Sequence, residues 1–221
     1  MDFAVNFLIK SAIKYKKNKL IICMKLVFAT NNANKIEEVK NLVSDNIQII
    51  SLNEAGFMGE IPEEFETLEK NSSQKAWYIY HLLGMNCFAD DTGLEAEALN
   101  NAPGVYSARY SRIGNDTFSN LDLVEGNICK LLDNLKNSGN RRAKFRTVIS
   151  LILEGKEYQF EGEVLGIILK EKRGNKGFGY DPVFLPDGYS KSFAEMDLKE
   201  KNSISHRYLA ISKLVGFLNN L

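Results

Sequence analysis

The spacing of apolar positions changes several times along the chain, and each change marks an element. The run KLVFA (residues 25–29) is short and unbroken, as a buried strand is, and it ends in the polar turn TNNANK (30–35). Ile36, Val39, Leu42 and Val43 then recur at helical spacing. Asn34 with Glu37 three residues on reads as a capping box that puts Lys35 in the first helical turn. A second helix is predicted over 67–83, with Ala76, Ile79, Leu82 and Leu83 on one face and Gly84 closing it. It leads into FADDTGLEAEAL (88–99), where a strand ends in two adjacent carboxylates. The turn-rich NNAPGVYSARYS precedes a third helix marked by Phe118, Leu121, Val124, Ile128, Leu131 and Leu135. Residues 143–153 and 157–169 read as a hairpin around Glu154, Gly155 and Lys156, and the glycine-rich GNKGFGYDPVF runs into a short strand. Tyr208, Ile211, Leu214, Val215 and Leu218 mark a final helix. This order predicts a mixed-sheet α/β fold over residues 24–221 rather than two independent domains.

Composition narrows the function more than the fold. Of 221 residues 44% are hydrophobic and 25% charged, so the chain can build a sizeable core; 28 basic against 28 acidic residues leave no net charge to favour polymeric nucleic acid. Cys23, Cys87 and Cys129 are odd in number and widely spaced, which fits a reducing cytoplasm better than a disulfide framework or a zinc site. The first 23 residues hold short apolar runs broken by Lys10, Lys14, Lys16, Lys17 and Lys19. They are too interrupted to span a membrane, lack the order of a signal peptide, and read as an extension without function upstream of Met24.

Four groups of residues could carry chemistry. TNNANK offers backbone N–H groups at a helix start, short polar side chains and Lys35, which suits an anion. A cation there opposes the helix dipole by roughly 0.3–1 kcal/mol, a cost that a bound phosphate would reverse. Glu63, Glu64, Glu66 and Glu69, with Asp90 and Asp91, are carboxylates of the kind that hold Mg²⁺ beside phosphate oxygens. In an extended strand Asp90 and Asp91 point to opposite faces, so at most one looks into a given pocket. GFGYDP sets Phe178 and Tyr180 about Gly179, with Asp181 next, and suits a planar hydrogen-bonding ring. KEKNSISHR gathers Lys199, Lys201, His206 and Arg207, although a charged, solvated helix start is the plain explanation. Neither His206 nor His81 has metal-ligand spacing. Together the four groups suit a nucleotide.

The segments TNNANK, FADDTGLEAEALNNAPGVYSARYS, GFGYDPVF and AEMDLKEKNSISHRYLA, in that order and spacing, closely resemble the inosine triphosphate pyrophosphatase family, from Met24 to the C-terminus. The resemblance implies two lobes around a long mixed sheet with flanking helices, a substrate cleft between them, a homodimer, and Mg²⁺-dependent hydrolysis of non-canonical purine nucleoside triphosphates to monophosphate and pyrophosphate. It places Thr30, Asn31, Asn32, Ala33, Asn34 and Lys35 on the phosphates, Asp91 as proton acceptor and metal ligand, Glu63 as the second metal ligand, and Thr92 beside the substrate. Phe178, Gly179, Tyr180 and Asp181 meet the base, with Phe178 stacking, and Lys201, His206 and Arg207 complete the site. Asp90 is then structural support. Thr92 stands where the family usually has Ser, and Lys70-Asn71-Ser72 where it often reads Glu-Asn-Ala.

Overall fold

The computed structural model describes residues 11–16, 19–40, 42–43, 46–114 and 117–220. Its elements are β1 (Ser11–Lys16), β2 (Lys19–Phe28), α1 (Ala33–Lys40), β3 (Ile47–Ile50), α2 (Leu68–Leu83), β4 (Cys87–Ala96), β5 (Pro103–Gly104), α3 (Leu123–Asn134), β6 (Arg142–Leu153), β7 (Lys156–Ile168), β8 (Phe184–Pro186), α4 (Leu198–Ile204) and α5 (His206–Leu218). One mixed sheet takes β1, β2, β4, β6, β7 and β8 as successive neighbours, with β3 added to β2 and β5 to β4. β2 is parallel to β3 and β4, as connections through helices permit, and every other pairing is antiparallel.

Local chemistry explains most of the boundaries. Thr67 Oγ1 accepts from the Lys70 N–H and Gly84 closes α2 at φ 62°, as the sequence requires. Glu154 and Gly155, at φ 51° and 77°, form the two-residue turn that joins β6 to β7. Elsewhere the structure corrects the sequence. α1 is capped by Asn32 rather than Asn34, because Asn32 Oδ1 reaches the N–H groups of both Asn34 (3.0 Å) and Lys35 (3.3 Å); Lys35 stays in the first turn. α3 starts at Leu123, since Asp122 accepts from Val124 and Glu125, and so Phe118 and Leu121 precede the helix. Leu82 is 54% exposed although Ala76 and Ile79 are fully buried. The predicted last helix is α5, capped by Ser205, which also closes the short, unpredicted α4. β3 is too short to display a period and was not expected. β2 begins at Lys19 and pairs with β1 from Ser11↔Met24 to Lys16↔Lys19, so part of the predicted extension is a hairpin on the sheet. The rest of residues 1–23 lies outside the described residues.

Strand parity organises the core around β4, β6 and β7. Phe88 of β4, with Ile149 and Leu151 of β6, packs under α1 and α5 in a cluster with Val39, Ala210, Ile211 and Leu214. Cys87 and Ala89 point the other way, to Ala76 and Ile79 of α2. Further along the first face Leu94 and Ala96, with Phe145, join a separate cluster with Ile128 and Leu131 of α3. Long strands thus run through two cores in series, the two halves of the molecule. Residues 90–93 of β4 form the waist between them.

Candidate active site

At that waist β4 has an open edge. β2 stops pairing at Phe28↔Phe88, and β5 takes up the same edge only at Leu94↔Gly104. A cavity of about 470 Å³ opens beside the gap, bordered by Asp91, Thr92, Gly93 and Leu94. Because the edge is open, side chains from both faces of the sheet converge on one space.

The two aspartates divide as alternation requires. Asp91, 7% exposed, faces α2 and borders the cavity. The Asn71 side-chain amide donates to its Oδ2 (3.2 Å), the Thr92 N–H to its Oδ1 (3.1 Å), and Lys75 Nζ lies 3.5 Å from Oδ1. Lys75 is itself buried and holds Glu63 Oε1 at 2.5 Å, so a single ammonium draws Glu63 and Asp91 together. Arg109 also reaches Glu63, at 3.4 Å. Asp90, 1% exposed, faces α1 and α5. It pairs with Lys35 Nζ at 2.9 Å and accepts from Arg207 Nε at 3.3 Å and Thr92 Oγ1 at 3.3 Å. Thr92 also shares a 2.8 Å hydroxyl contact with Thr147, its register partner on β6.

Besides TNNANK, an aromatic and cationic wall lines the cavity. Asp181 Oδ2 accepts from the Phe178 N–H (2.8 Å) and from Lys201 Nζ (2.7 Å), which fixes the GFGYDP turn to α4. Lys201 Nζ stands 4.6 Å and the Arg207 guanidinium 5.7 Å from the Phe178 ring centre. Tyr180 is buried and its hydroxyl donates to the Ser107 carbonyl. His206 stacks on Phe145 at 4.6 Å, and its Nδ1 has no hydrogen-bond partner. What lets α5 sit so close to the sheet is Gly162 of β7: a Cβ there would lie 2.1 Å from the His206 carbonyl oxygen. A larger residue would push His206 and Arg207 away from the waist.

Of the residues expected at the site, Thr30, Asn31, Asn32, Asn34, Lys35, Glu63, Asp91, Thr92, Phe178, Gly179, Tyr180, Asp181, Lys201, His206 and Arg207 all border this cavity. Ala33 does not. At the first position of α1 it borders a neighbouring groove with Glu37, Lys40 and Glu54. Among the acids before α2, Glu64 is bonded to Gln74 and Glu69 to Arg146, while Glu63 alone reaches the cavity. Lys201, His206 and Arg207 are buried rather than a solvated helix start, and Lys199 is exposed. Lys35 meets the carboxylate of Asp90, which offsets the dipole cost that its position implied. Sequence reasoning missed Lys75 as a site residue and gave Asn71 no role. A signal was there, since positions 71 and 75 fall on the buried stripe of α2 with Leu68, Ser72, Ala76 and Ile79. A lysine on a helix's core-facing stripe needs a buried partner.

The Ham1 family sequence model matches residues 26–217. The chain belongs to the Ham1 family. It is 49% identical over 196 residues to a dITP/XTP pyrophosphatase of Christiangramia forsetii, covering 89% of this chain and 100% of that one. It is 43% identical over 204 residues to a dITP/XTP pyrophosphatase of Aquifex aeolicus, covering 89% and 98%. Among solved structures, a HAM1 protein from Coxiella burnetii superposes with a TM-score of 0.80 at 34% identity, over 89% of this chain and 99% of that chain. The Staphylococcus aureus Ham1 protein gives 0.78 at 37%, over 89% and 98%.

In this Ham1 chain the waist carries opposed electrostatics. Burial raises the Asp91 carboxyl above the usual carboxylate range despite Lys75 and Lys35. Burial acts on Asp90 as well, but Lys35, Arg207 and Lys75 outweigh it and hold that carboxyl well below the usual range. Burial, then Arg207 and Lys201, push His206 well below an ordinary imidazole. Among the described residues no three His, Cys, Asp or Glu side chains converge as a metal cluster. Glu63 and Asp91 do converge on a common cation, the Lys75 ammonium. Two hard carboxylates open to a cavity are a donor set that fits Mg²⁺, whose remaining positions go to water and phosphate oxygens. No helix among the described residues is long and apolar enough to cross a membrane.

Proposed function

We propose that this chain hydrolyses the non-canonical purine nucleoside triphosphates ITP, dITP and XTP to the monophosphate and pyrophosphate, removing them from the pool before they enter DNA or RNA. The observation that carries this reading is the placement of Asp91. It borders a cavity whose wall also holds a polar, lysine-bearing loop and an aromatic ring with buried cations, the groups that a nucleoside triphosphate requires. Relatives that match nearly the whole chain are named dITP/XTP pyrophosphatases, which supports the same reading.

The geometry supports the following roles. Thr30, Asn31, Asn32, Asn34 and Lys35 face the phosphates. Asp91, whose burial raises its basicity, accepts the proton of the water that attacks the α-phosphorus, and pyrophosphate leaves with the bridging oxygen. Glu63 and Asp91 would hold Mg²⁺, which when bound neutralises charge on the triphosphate. Lys75 keeps the two acids close. Phe178 stacks on the base, and Arg207, a donor only, favours the 6-carbonyl of hypoxanthine and xanthine over the 6-amino group of adenine. Action as a homodimer in the cytoplasm belongs to this proposal, supported by the family resemblance. The test is a panel of ITP, dITP, XTP, GTP and ATP with Mg²⁺, detecting pyrophosphate separately from orthophosphate. The reading expects pyrophosphate from ITP and XTP well above GTP, with GTP at or above ATP. A protein that binds ITP and releases no pyrophosphate is a nucleotide-binding regulator, and the proposal is then wrong.

A further inference from the structure

Asp90 does not border the cavity, yet it is joined to two cations that do, one from TNNANK and one from α5. Its Oδ1 holds Lys35 Nζ at 2.9 Å, on the helix that starts from the phosphate-facing loop. Its Oδ2 accepts from Arg207 Nε at 3.3 Å, on the helix that carries the base-facing wall. The carboxylate is 1% exposed, and Arg207 is 2% exposed. A carboxylate in that position has no water to share the load, so its two oxygens fix two cations. The Arg207 case is the more specific. A guanidinium is a rigid planar fork, and engaging its Nε edge sets the plane in which its terminal N–H groups lie. That plane stands 5.7 Å from the centre of Phe178, the ring assigned to stack on the base.

Resting on the proposed pyrophosphatase reading, we infer that Asp90 is a positioning residue for substrate choice: it orients Arg207 toward the 6-position of the base and Lys35 toward the triphosphate. Asp90 is therefore more than structural support. It acts through two other residues and meets no substrate atom. A merely structural carboxylate would, on removal, cost stability and rate equally for every nucleotide. A positioning carboxylate costs the preference between nucleotides, because a loose guanidinium no longer distinguishes a carbonyl from an amino group.

The experiment measures kcat and KM for ITP and ATP in wild type, Asp90→Asn, Lys35→Met and the double variant Lys35→Met/Asp90→Asn. In Asp90→Asn the ITP:ATP ratio of kcat/KM should fall about tenfold or more, with KM for ITP raised. Should Asp90→Asn not fold, the double variant replaces the buried pair by neutral groups of similar size. Its ratio should fall well below that of Lys35→Met, which keeps Arg207 anchored. An ITP:ATP ratio within about twofold of wild type in Asp90→Asn, or, where that variant does not fold, a double variant whose ratio stays within about twofold of that of Lys35→Met, overturns the inference, even if rate is lost. Wild-type protein that makes no pyrophosphate from ITP overturns the pyrophosphatase reading and this inference with it. Wild-type turnover with an unmoved ratio sinks the inference alone.

Discussion

Asp90 and Asp91 are the same side chain on consecutive residues of one strand, both almost wholly buried, and the fold drives them in opposite directions. Asp90 faces two cations brought by α1 and α5 and is held a fixed anion. Asp91 faces α2, shares the buried Lys75 ammonium with Glu63, and has its carboxyl raised by burial. Burial therefore does not decide a carboxylate's chemistry; the number and ownership of the neighbouring cations do. A strand's two-residue period is enough to give the two acids opposite surroundings, which the proposed function uses, one for proton transfer and the next for alignment.

The largest effect should come from breaking the Asp91 side. Asp91→Asn keeps the side chain's size but only one of the two oxygens that accept from the Thr92 N–H and the Asn71 amide, and it takes up no proton, so kcat for ITP should fall by about 10²–10⁴. The melting temperature should fall modestly, because one of those donors loses its acceptor and buried Lys75 keeps only Glu63, which the relief of a raised carboxyl partly offsets. Retention of more than about a tenth of wild-type kcat would remove Asp91 from the mechanism.

On the Asp90 side the comparison predicts a loss of stability. From its helix-start position alone Lys35→Ala would leave stability unchanged or slightly raised. The structure reverses that expectation, since the ammonium is 15% exposed and bonded to a fully buried carboxylate. Removing it leaves Asp90 to Arg207 alone, at a cost below the ~3–5 kcal/mol of an unshared buried pair. Turnover should fall as well. A denaturant midpoint at or above wild type, with slow turnover, would show that Lys35 serves the phosphates only.

How much of this was legible in the sequence follows the same line. The alternation of Asp90 and Asp91, the close of α2 at Gly84 and the β6–β7 turn are local, and they were readable from residue type and spacing. So was the collection of site residues, through motifs whose order resembles one family. Partners were not legible, because Lys35, Asp90 and Arg207 come together only when α5 packs on β7 at Gly162. Lys75 hid inside an amphipathic pattern, and Glu63 could be separated from Glu64 and Glu69 only by seeing which acids Gln74 and Arg146 had already taken. The missed cap at Asn32 and the late start of α3 show the limit of periodicity: a side-chain oxygen two or three residues away sets a helix start more sharply than the apolar stripe does.

A third buried titratable group, His206, sharpens the comparison with the opposite sign. Its imidazole is depressed by burial and by two cations, so the folded chain refuses a proton that the unfolded chain accepts near pH 6.5. The unfolded state then binds more protons below that pH, and stability falls as pH drops, by at most about 1.4 kcal/mol per unit for this one group. His206→Phe keeps a ring against Phe145 and should flatten the fall in unfolding free energy between pH 7 and 5.5. An identical slope in the variant would show that the dependence comes from elsewhere.

The smallest effect should come from the part of the sheet that touches neither aspartate. Among the described residues β1 pairs with β2 alone, from Ser11↔Met24 to Lys16↔Lys19, and β3 pairs with β2 only from Met24 to Val27. A chain begun at Met24 therefore loses the hairpin and keeps every pairing of β2 with β3 and with β4, including Val27↔Cys87 and Phe28↔Phe88, which set the entry of the Asp90–Asp91 strand. The matched family region also starts inside that remainder, at residue 26. We expect kcat/KM for ITP within about twofold of the full chain, and a melting temperature lowered only by the loss of an edge strand, which contributes less than a central one because one of its sides is unpaired. A tenfold loss of activity on truncation would mean that β1 or the residues before it reach the waist or a partner subunit, and that the division of labour along β4 depends on more than the helices that flank it.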